Sequence, residues 1–159
     1  MSLSIDLAAL FKRDLSRLLQ EVSAFPDQAS LWAKPEGVSN SAGNLALHLE
    51  GNLREYIGRQ LGGVGYVRDR EAEFHASGGS VEEVVSRLQD LPNLISQVIA
   101  GLSLEVLDKD YPEAVLGVPL TTRQFLIHLL GHLNYHLGQI NTHRRILIRC
   151  KTISGGGLV

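Results

Sequence analysis

Histidines are the residues of this 159-residue chain whose type and spacing most clearly point to chemistry. Four of the six, His128, His132, His136 and His143, lie within sixteen positions. Histidine is the commonest metal ligand in proteins. Two histidines at positions i and i+4 are neighbours on a helix surface, so both imidazoles can reach one ion. The run from His128 to His136 contains two such pairs, His128/His132 and His132/His136, and the spacing alone favours neither.

A third ligand must come from another segment, because one straight helix rarely brings three successive turns onto one ion. His48 is the candidate, since it lies among Leu45, Leu47 and Leu49, where an unpartnered charged imidazole would be costly. The simpler interpretation of His48 is a hydrogen-bonded core histidine without a metal.

The remaining histidines are expected to lie outside the metal site. His143 is about 10 Å along a helix from His136, too far for the same ion, and is expected to support the site from outside or to lie at the surface. His75 follows a charged segment near a glycine-rich stretch, which predicts a loop residue.

Other metal and phosphate motifs are absent from the sequence. No histidine has a glutamate three positions before it, which excludes a ferritin-like di-iron pattern. Leucine follows both His128 and His132, where a zincin has glutamate. Cys150 is the single cysteine, so an internal disulfide and a cysteine-based zinc site are excluded. The glycines at 62, 63 and 65 lack the Lys-Ser/Thr of a phosphate loop.

Four stretches with helical periodicity must position these side chains, at about residues 4–24, 43–61, 80–102 and 121–149. Capping boxes begin the last two, with Ser80 before Glu83 and Thr121 before Gln124. Pro92 predicts a kink or a split in the third stretch. The connections are about fifteen to twenty residues long, and a short helical turn is expected near residues 104–107. The fold class predicted is all-α: a four-helix bundle with long connections, forming one domain over residues 1–150 before a flexible tail at 151–159.

A helical wheel places the four histidines of the last stretch on one stripe about 80° wide. Apolar residues cover much of the remaining circumference of this helix, which is typical of a largely buried helix. The histidines are therefore expected to point into the bundle or into a cavity that opens from it.

Composition and charge exclude several functional classes. Fifteen Lys and Arg against seventeen Asp and Glu give a net charge of −2, which argues against a nucleic-acid partner. No apolar run approaches the length of about eighteen residues that a membrane helix needs, and the N-terminus does not look like a signal peptide. We expect no membrane association and a cytoplasmic location.

The motifs resemble those of a known family. Residues 129–140 (LLGHLNYHLGQI) resemble the last-helix signature of the DinB superfamily, which includes the YfiT-like proteins and in which a His-x-x-x-His pair runs into Gly-Gln-Ile. Residues 44–49 (NLALHL) resemble the second-helix segment that carries the remaining metal-binding histidine, and Trp32 fits an aromatic residue before that helix. Residues 51–54 and 68–74 resemble the DUF1572-like branch.

The resemblance implies a four-helix bundle, a homodimer, and a divalent metal held by His48, His132 and His136. It thereby selects the His132/His136 pair. Zinc or nickel is the expected metal, with iron or manganese as alternatives. Relatives include transferases and isomerases that use bacillithiol, mycothiol or glutathione, and proteins described as metal-dependent hydrolases. Many relatives carry His-His-Arg before Gly-Gln-Ile, where this chain has Tyr135, His136 and Leu137. This departure leaves the identity of the thiol open.

A divalent ion on three imidazoles could lower the pKa of a bound water to about 7 or ionise a bound thiol. Hydrolysis would be helped by a nearby carboxylate, but Glu55 lies two turns from His48 and Glu50 lies on the opposite face of that helix. Gln139, one turn beyond His136, is expected either to hydrogen-bond near the site or to pack between helices.

The sequence therefore favours a thiol S-transferase or isomerase that acts on a small molecule with a low-molecular-weight thiol as cosubstrate, and no catalytic residue is assigned. The alternatives are a metal-dependent hydrolase and a non-catalytic dimeric bundle that binds metal or a small ligand.

Overall fold

The structure, a computed structural model, describes the backbone of residues 2–154 and the side chains of residues 2–149. Its helices are α1 (Leu3–Ser23), α2 (Gln28–Trp32), α3 (Ala42–Leu53), α4 (Arg70–His75), α5 (Val81–Leu88), α6 (Leu91–Ala100), α7 (Leu104–Asp108) and α8 (Thr122–Ser154), and a π-helical segment (Arg54–Arg59) continues α3. Within these residues the only β-type pairing is an isolated bridge between Asp110 and Thr121.

The bundle consists of α1, α3, the α5–α6 pair and α8, as the helical periodicity predicts. α1 packs against α6 and α8, and α3 packs against α8. Pro92 lies in the first turn of α6, where its missing N–H breaks no helical hydrogen bond, so the third predicted stretch is split into two helices. The predicted turn near residues 104–107 is α7.

Two short helices, α2 and α4, lie in connections where the sequence analysis expected loops. Each begins with an aspartate whose carboxylate accepts a hydrogen bond from a backbone N–H: Asp27 from Ser30, and Asp69 from Ala72. Helices of five or six residues are too short for apolar periodicity to reveal them. His75 is the last residue of α4, so the prediction that it is a loop residue is wrong.

α3 is the central helix, and every one of its side chains is buried. Its first turn is closed by a capping box in which the Ser41 hydroxyl accepts from the Asn44 N–H and the Asn44 side chain accepts from the Ser41 N–H. The indole of Trp32 packs on the backbone at Gly43, where a Cβ would lie only 2.7 Å from the ring. A side chain at residue 43 would therefore force α2 away from α3.

α8 is the longest helix and extends beyond the predicted end near residue 149. Residues 151–154 of the expected flexible tail are helical in their backbone, and residues 155–159 lie outside the described residues. The side that faces the bundle buries Phe125, Leu129 and Leu133. None of the described helices combines the length and apolar character that crossing a membrane requires.

Candidate metal centre

Three histidines from two helices converge in the interior of the bundle. α3 contributes His48, and α8 contributes His132 and His136 from successive turns. Nε2 of His132 lies 3.2 Å from Nε2 of His48 and 3.1 Å from Nε2 of His136. The possible ligand atoms of all three residues lie within 4.8 Å of one another. The structure thus brings together the three histidines that the resemblance implies, and their role as ligands remains a prediction.

Two of the rings are oriented by acceptors at Nδ1. His48 donates to Oε2 of Glu73 over 3.0 Å, since an ionised carboxylate can only accept. His136 donates from Nδ1 to Oε1 of Gln139 over 2.7 Å. A proton held on Nδ1 leaves the lone pair on Nε2, and it also fixes the orientation of the ring. Both Nε2 lone pairs are therefore directed toward the centre of the cluster.

Glu73 is a buried carboxylate on α4, with only 5% of its surface exposed. Arg68 donates to both of its oxygens, from Nε to Oε1 over 2.7 Å and from Nη2 to Oε2 over 2.8 Å. Burial by itself would raise the pKa of Glu73, but the hydrogen bonds from Arg68 and His48 outweigh it and hold the pKa below its ordinary value. Glu73 is consequently ionised at neutral pH and is a strong acceptor for His48.

Glu73 is not among the site residues predicted from the sequence, although residues 68–74 are one of the segments that carry the family resemblance. Asn44 fixes this segment to α3 by donating from Nδ2 to the carbonyls of Glu73 at 3.1 Å, Phe74 at 3.3 Å and Ala76 at 2.7 Å. A Cβ on Gly51 would lie 2.0 Å from Oε1 of Glu73. The glycine is the sequence signal that something approaches α3 closely at this turn, but it does not say which residue.

Burial keeps the two histidines of α8 neutral. Burial, followed by the neighbouring His136 and His48, lowers the pKa of His132 to about 4. Burial also lowers the pKa of His136, against the opposing hydrogen bond with Gln139. Neutral imidazole is the form that binds metal, so at pH 7 neither ring must lose a proton before it can act as a ligand.

The cluster fits a divalent metal ion. Zinc–nitrogen distances of about 2.0–2.1 Å in a tetrahedral site place neighbouring ligand nitrogens about 3.4 Å apart. The two Nε2–Nε2 distances at His132, 3.2 and 3.1 Å, are within a few tenths of an ångström of that spacing. Three imidazole donors suit zinc, nickel or iron, so the donor set does not select one of these metals.

His128 and His143 lie outside the cluster. The exposed His128 stacks between Phe125, with ring centroids 6.0 Å apart, and His132, at 6.4 Å. His143 is 4% exposed, so the expectation of a surface position is wrong. Cys150 has a side chain outside the described residues.

Among the acidic residues weighed from the sequence, Glu55 pairs with Arg59. Glu50 pairs with Arg54 and Arg87, at 3.1 and 2.8 Å. Gln139 accepts a hydrogen bond from Nδ1 of His136. This confirms the first of the two alternatives predicted for it, a hydrogen bond near the site.

Comparison with known protein families gives a match over the segment that contains the three-histidine cluster. The family model of the DinB superfamily matches residues 10–140, which include all three histidines of the cluster. No curated protein matches the chain, and no solved structure does. The matched span covers most of the chain and contains α3 and the part of α8 that carries His132 and His136. The chain therefore belongs to the DinB superfamily.

Proposed function

We propose that this protein is a divalent-metal-dependent enzyme that activates a low-molecular-weight thiol for an S-transferase or isomerase reaction on a small electrophile. The observation that carries the proposal is the convergence of three imidazole nitrogens, two of them oriented by acceptors at Nδ1. Membership of the DinB superfamily, whose members often bind metal, supports it.

His48, His132 and His136 would hold the ion, and a bound divalent ion supplies a position at which a coordinated thiol is ionised. Burial of His132 and His136 keeps their rings neutral and available. Glu73 holds His48, and Gln139 holds His136, so little ring reorientation accompanies binding.

The carboxylate next to the cluster supports thiol activation over hydrolysis. Hydrolysis at a metal site is helped by a general base that can take a proton from water. Glu73 is already bound at both oxygens by Arg68, and it contacts His48 at Nδ1 rather than at the Nε2 that faces the other rings. Its lowered pKa makes it a weak base. A thiol that is ionised on coordination needs no such base.

The first test is metal content. Protein purified without a histidine tag from metal-replete cells is expected to carry about one zinc or nickel per three-histidine site, measured by elemental analysis. Protein that binds neither ion after metal-replete expression or after reconstitution contradicts the proposal.

The second test is activity. Zinc- and nickel-loaded protein is assayed with glutathione, bacillithiol and mycothiol against an aryl halide, an epoxide and a cis-alkene isomerisation substrate. A rate that disappears in His136→Ala supports the proposal. Turnover of esters or amides without any thiol would instead assign the hydrolase alternative, and no turnover with stoichiometric metal would assign the non-catalytic one.

We also propose a homodimer that works in the cytoplasm, on the basis of family membership and the single cysteine. The outward side of α8 exposes Ile127, Tyr135 and Ile146, at 53%, 65% and 44%. Sedimentation velocity at micromolar concentration should give the mass of a dimer, and replacement of Tyr135 by Glu should shift it to the monomer. Monomeric wild-type protein contradicts this proposal.

A further inference from the structure

Two buried polar atoms, one on a histidine of the cluster and one on α3 a helical turn from His48, have no hydrogen-bond partner among the described residues. They are Oδ1 of Asn52, on α3, and Nδ1 of His132, on α8. Asn52 is 8% exposed. Buried polar side-chain atoms are hydrogen-bonded in the large majority of cases, so each exception requires an explanation.

The register of the two helices places these atoms in the same layer of the bundle. α3 and α8 run antiparallel here, because His48 meets His132 and His136 while Tyr56, two turns later, meets Phe125 with ring centroids 5.5 Å apart. Asn52 is one turn from His48 and one turn from Tyr56, on the same side of α3. It therefore lies level with the turns of α8 between Phe125 and His132.

The direction of helical side chains brings Asn52 closer to the cluster. A side chain on a helix leans over the turn on its N-terminal side. For Asn52 that turn carries His48, whose Nε2 is 3.2 Å from Nε2 of His132. The Asn52 amide therefore leans toward the layer that contains His132.

The tautomers of the neighbouring rings bear on the unpaired Nδ1 of His132. His48 and His136 keep their protons on Nδ1, for Glu73 and Gln139. Their bare Nε2 atoms lie within hydrogen-bond distance of Nε2 of His132, at 3.2 and 3.1 Å. A single proton on Nε2 of His132 can be donated to only one of these two lone pairs at a time, and it leaves Nδ1 as a lone pair with no donor among the described residues.

An ion bound to all three Nε2 atoms would require the other tautomer of His132, because its Nε2 could no longer carry the proton. Its single proton would then be on Nδ1, and this buried N–H would require an acceptor. Oδ1 of Asn52, which the helix register places in that layer, is a buried acceptor without a partner among the described residues.

We propose that Asn52 is a positioning residue for the metal centre, whose Oδ1 accepts a hydrogen bond from Nδ1–H of His132 in the metal-bound state. Together with Glu73 and Gln139 it gives each of the three histidines one acceptor. The inference rests on the proposed metal centre.

Replacement of Asn52 by Leu, which has a similar size, tests the inference. We expect the melting temperature of the metal-free protein to rise and its zinc affinity to fall. The metal-free variant should melt at a higher temperature than wild type, because a buried unpaired amide has been removed. Its zinc affinity should fall by about 10- to 100-fold, because Nδ1–H of His132 has lost its acceptor. Chelator competition measures the affinity, and calorimetry of the metal-free protein measures the melting temperature.

Two further variants make the result specific. Asn52→Asp retains an acceptor and should bind zinc at least as tightly as wild type. Asn141→Leu removes an amide that bonds Glu21, on the α1 side of α8, and should leave zinc affinity unchanged.

A measurement on the wild type makes the test independent of variant folding. Nitrogen-15 NMR of the histidine side chains should show the His132 proton on Nδ1, slow to exchange, in the zinc form. A His132 proton that exchanges freely in the zinc form, or unchanged zinc affinity in Asn52→Leu, would overturn the inference while the metal centre stands. Wild-type protein that binds no zinc or nickel would overturn the proposed function as well.

Discussion

Each histidine of the cluster has one ring nitrogen that faces the other two rings and one that faces the surrounding protein. The inner nitrogens of His48 and His132 are 3.2 Å apart, and the outer nitrogen of His48 is held by Glu73. An imidazole with a fixed tautomer loses less conformational freedom on binding an ion than a free one does. The hydrogen bonds at the outer nitrogens therefore matter for metal binding as much as the positions of the inner nitrogens.

The three inner nitrogens should be individually required for metal binding. His48→Ala, His132→Ala and His136→Ala should each lose stoichiometric metal, because two imidazoles hold a divalent ion much more weakly than three. Helical content by circular dichroism should change little, since the surrounding core is apolar and independent of these rings. His128→Ala is the matched control and should keep its metal, since His128 is exposed and outside the cluster. Equal loss in that control would mean that the His128/His132 pair is the chelating one.

Glu73→Gln tests the outer contact of His48. The amide keeps the size of the side chain, but it removes the charge that binds Arg68 and the strong acceptor for Nδ1–H. Zinc affinity should fall by about 10- to 100-fold, measured by chelator competition. Glu71→Gln, on the exposed side of α4, should have no effect. Wild-type affinity in Glu73→Gln would show that the carboxylate serves folding alone.

At the scale of elements, the site depends on how closely α4 approaches α3. Oε1 of Glu73 occupies the space that a Cβ on Gly51 would fill, and Arg68 holds that carboxylate from the other side. Asn44 ties the end of α4 to the first turn of α3. The central helix α3 therefore carries His48, and it also packs against α4, whose Glu73 orients the His48 ring.

Gly51→Ala should destabilise the protein even though alanine is the better helix former by about 1 kcal/mol. The new methyl group would force Glu73 out of its contacts with His48 and Arg68, and overpacking of this kind costs about 1–3 kcal/mol. Urea denaturation measures the change in the free energy of unfolding. Gly138→Ala is the control, because residue 138 is exposed in α8 with no atom within 4 Å of an added Cβ, and there the change should stabilise by about 0.5–1 kcal/mol. Stabilisation in both variants would contradict the close approach.

At the scale of the whole molecule, buried neutral histidines make stability depend on pH. His143 is 4% exposed, and burial lowers its pKa from the ordinary 6.5. A group whose pKa is lower in the folded state binds fewer protons there than in the unfolded chain, so its contribution is present above pH 6.5 and is lost as the pH falls toward the folded pKa.

Metal-free protein should therefore lose stability as the pH is lowered from 7.5 to 5. Replacement of His143 by Leu should reduce this loss, because the substituted side chain does not titrate. Calorimetric melting temperatures at several pH values measure the slope. An unchanged slope in His143→Leu would mean that other groups carry the pH dependence.

Local patterns in the sequence were sufficient for the helices of the bundle, and the family resemblance selected the three histidines of the cluster. Amphipathic spacing depends only on the geometry of one helix, so residues 4–24 and 121–149 could be predicted as helices without any knowledge of their neighbours. The spacing of His132 and His136 is local in the same sense. His48 was found because a polar residue in an apolar run is conspicuous, and the family resemblance joined it to the pair.

The tertiary structure alone revealed the groups that orient these histidines. Glu73 is 25 residues from His48 along the chain, and Arg68 reaches it from a connection without periodicity. The burial of His143 and the level of Asn52 relative to α8 likewise depend on the packing of whole helices. Such contacts arise from the way separate segments fold against one another, so they cannot be predicted from a repeat or spacing within a single segment. The sequence by itself therefore determined which residues could bind a metal, and the packing of α4 and α8 on α3 decided how those residues are held.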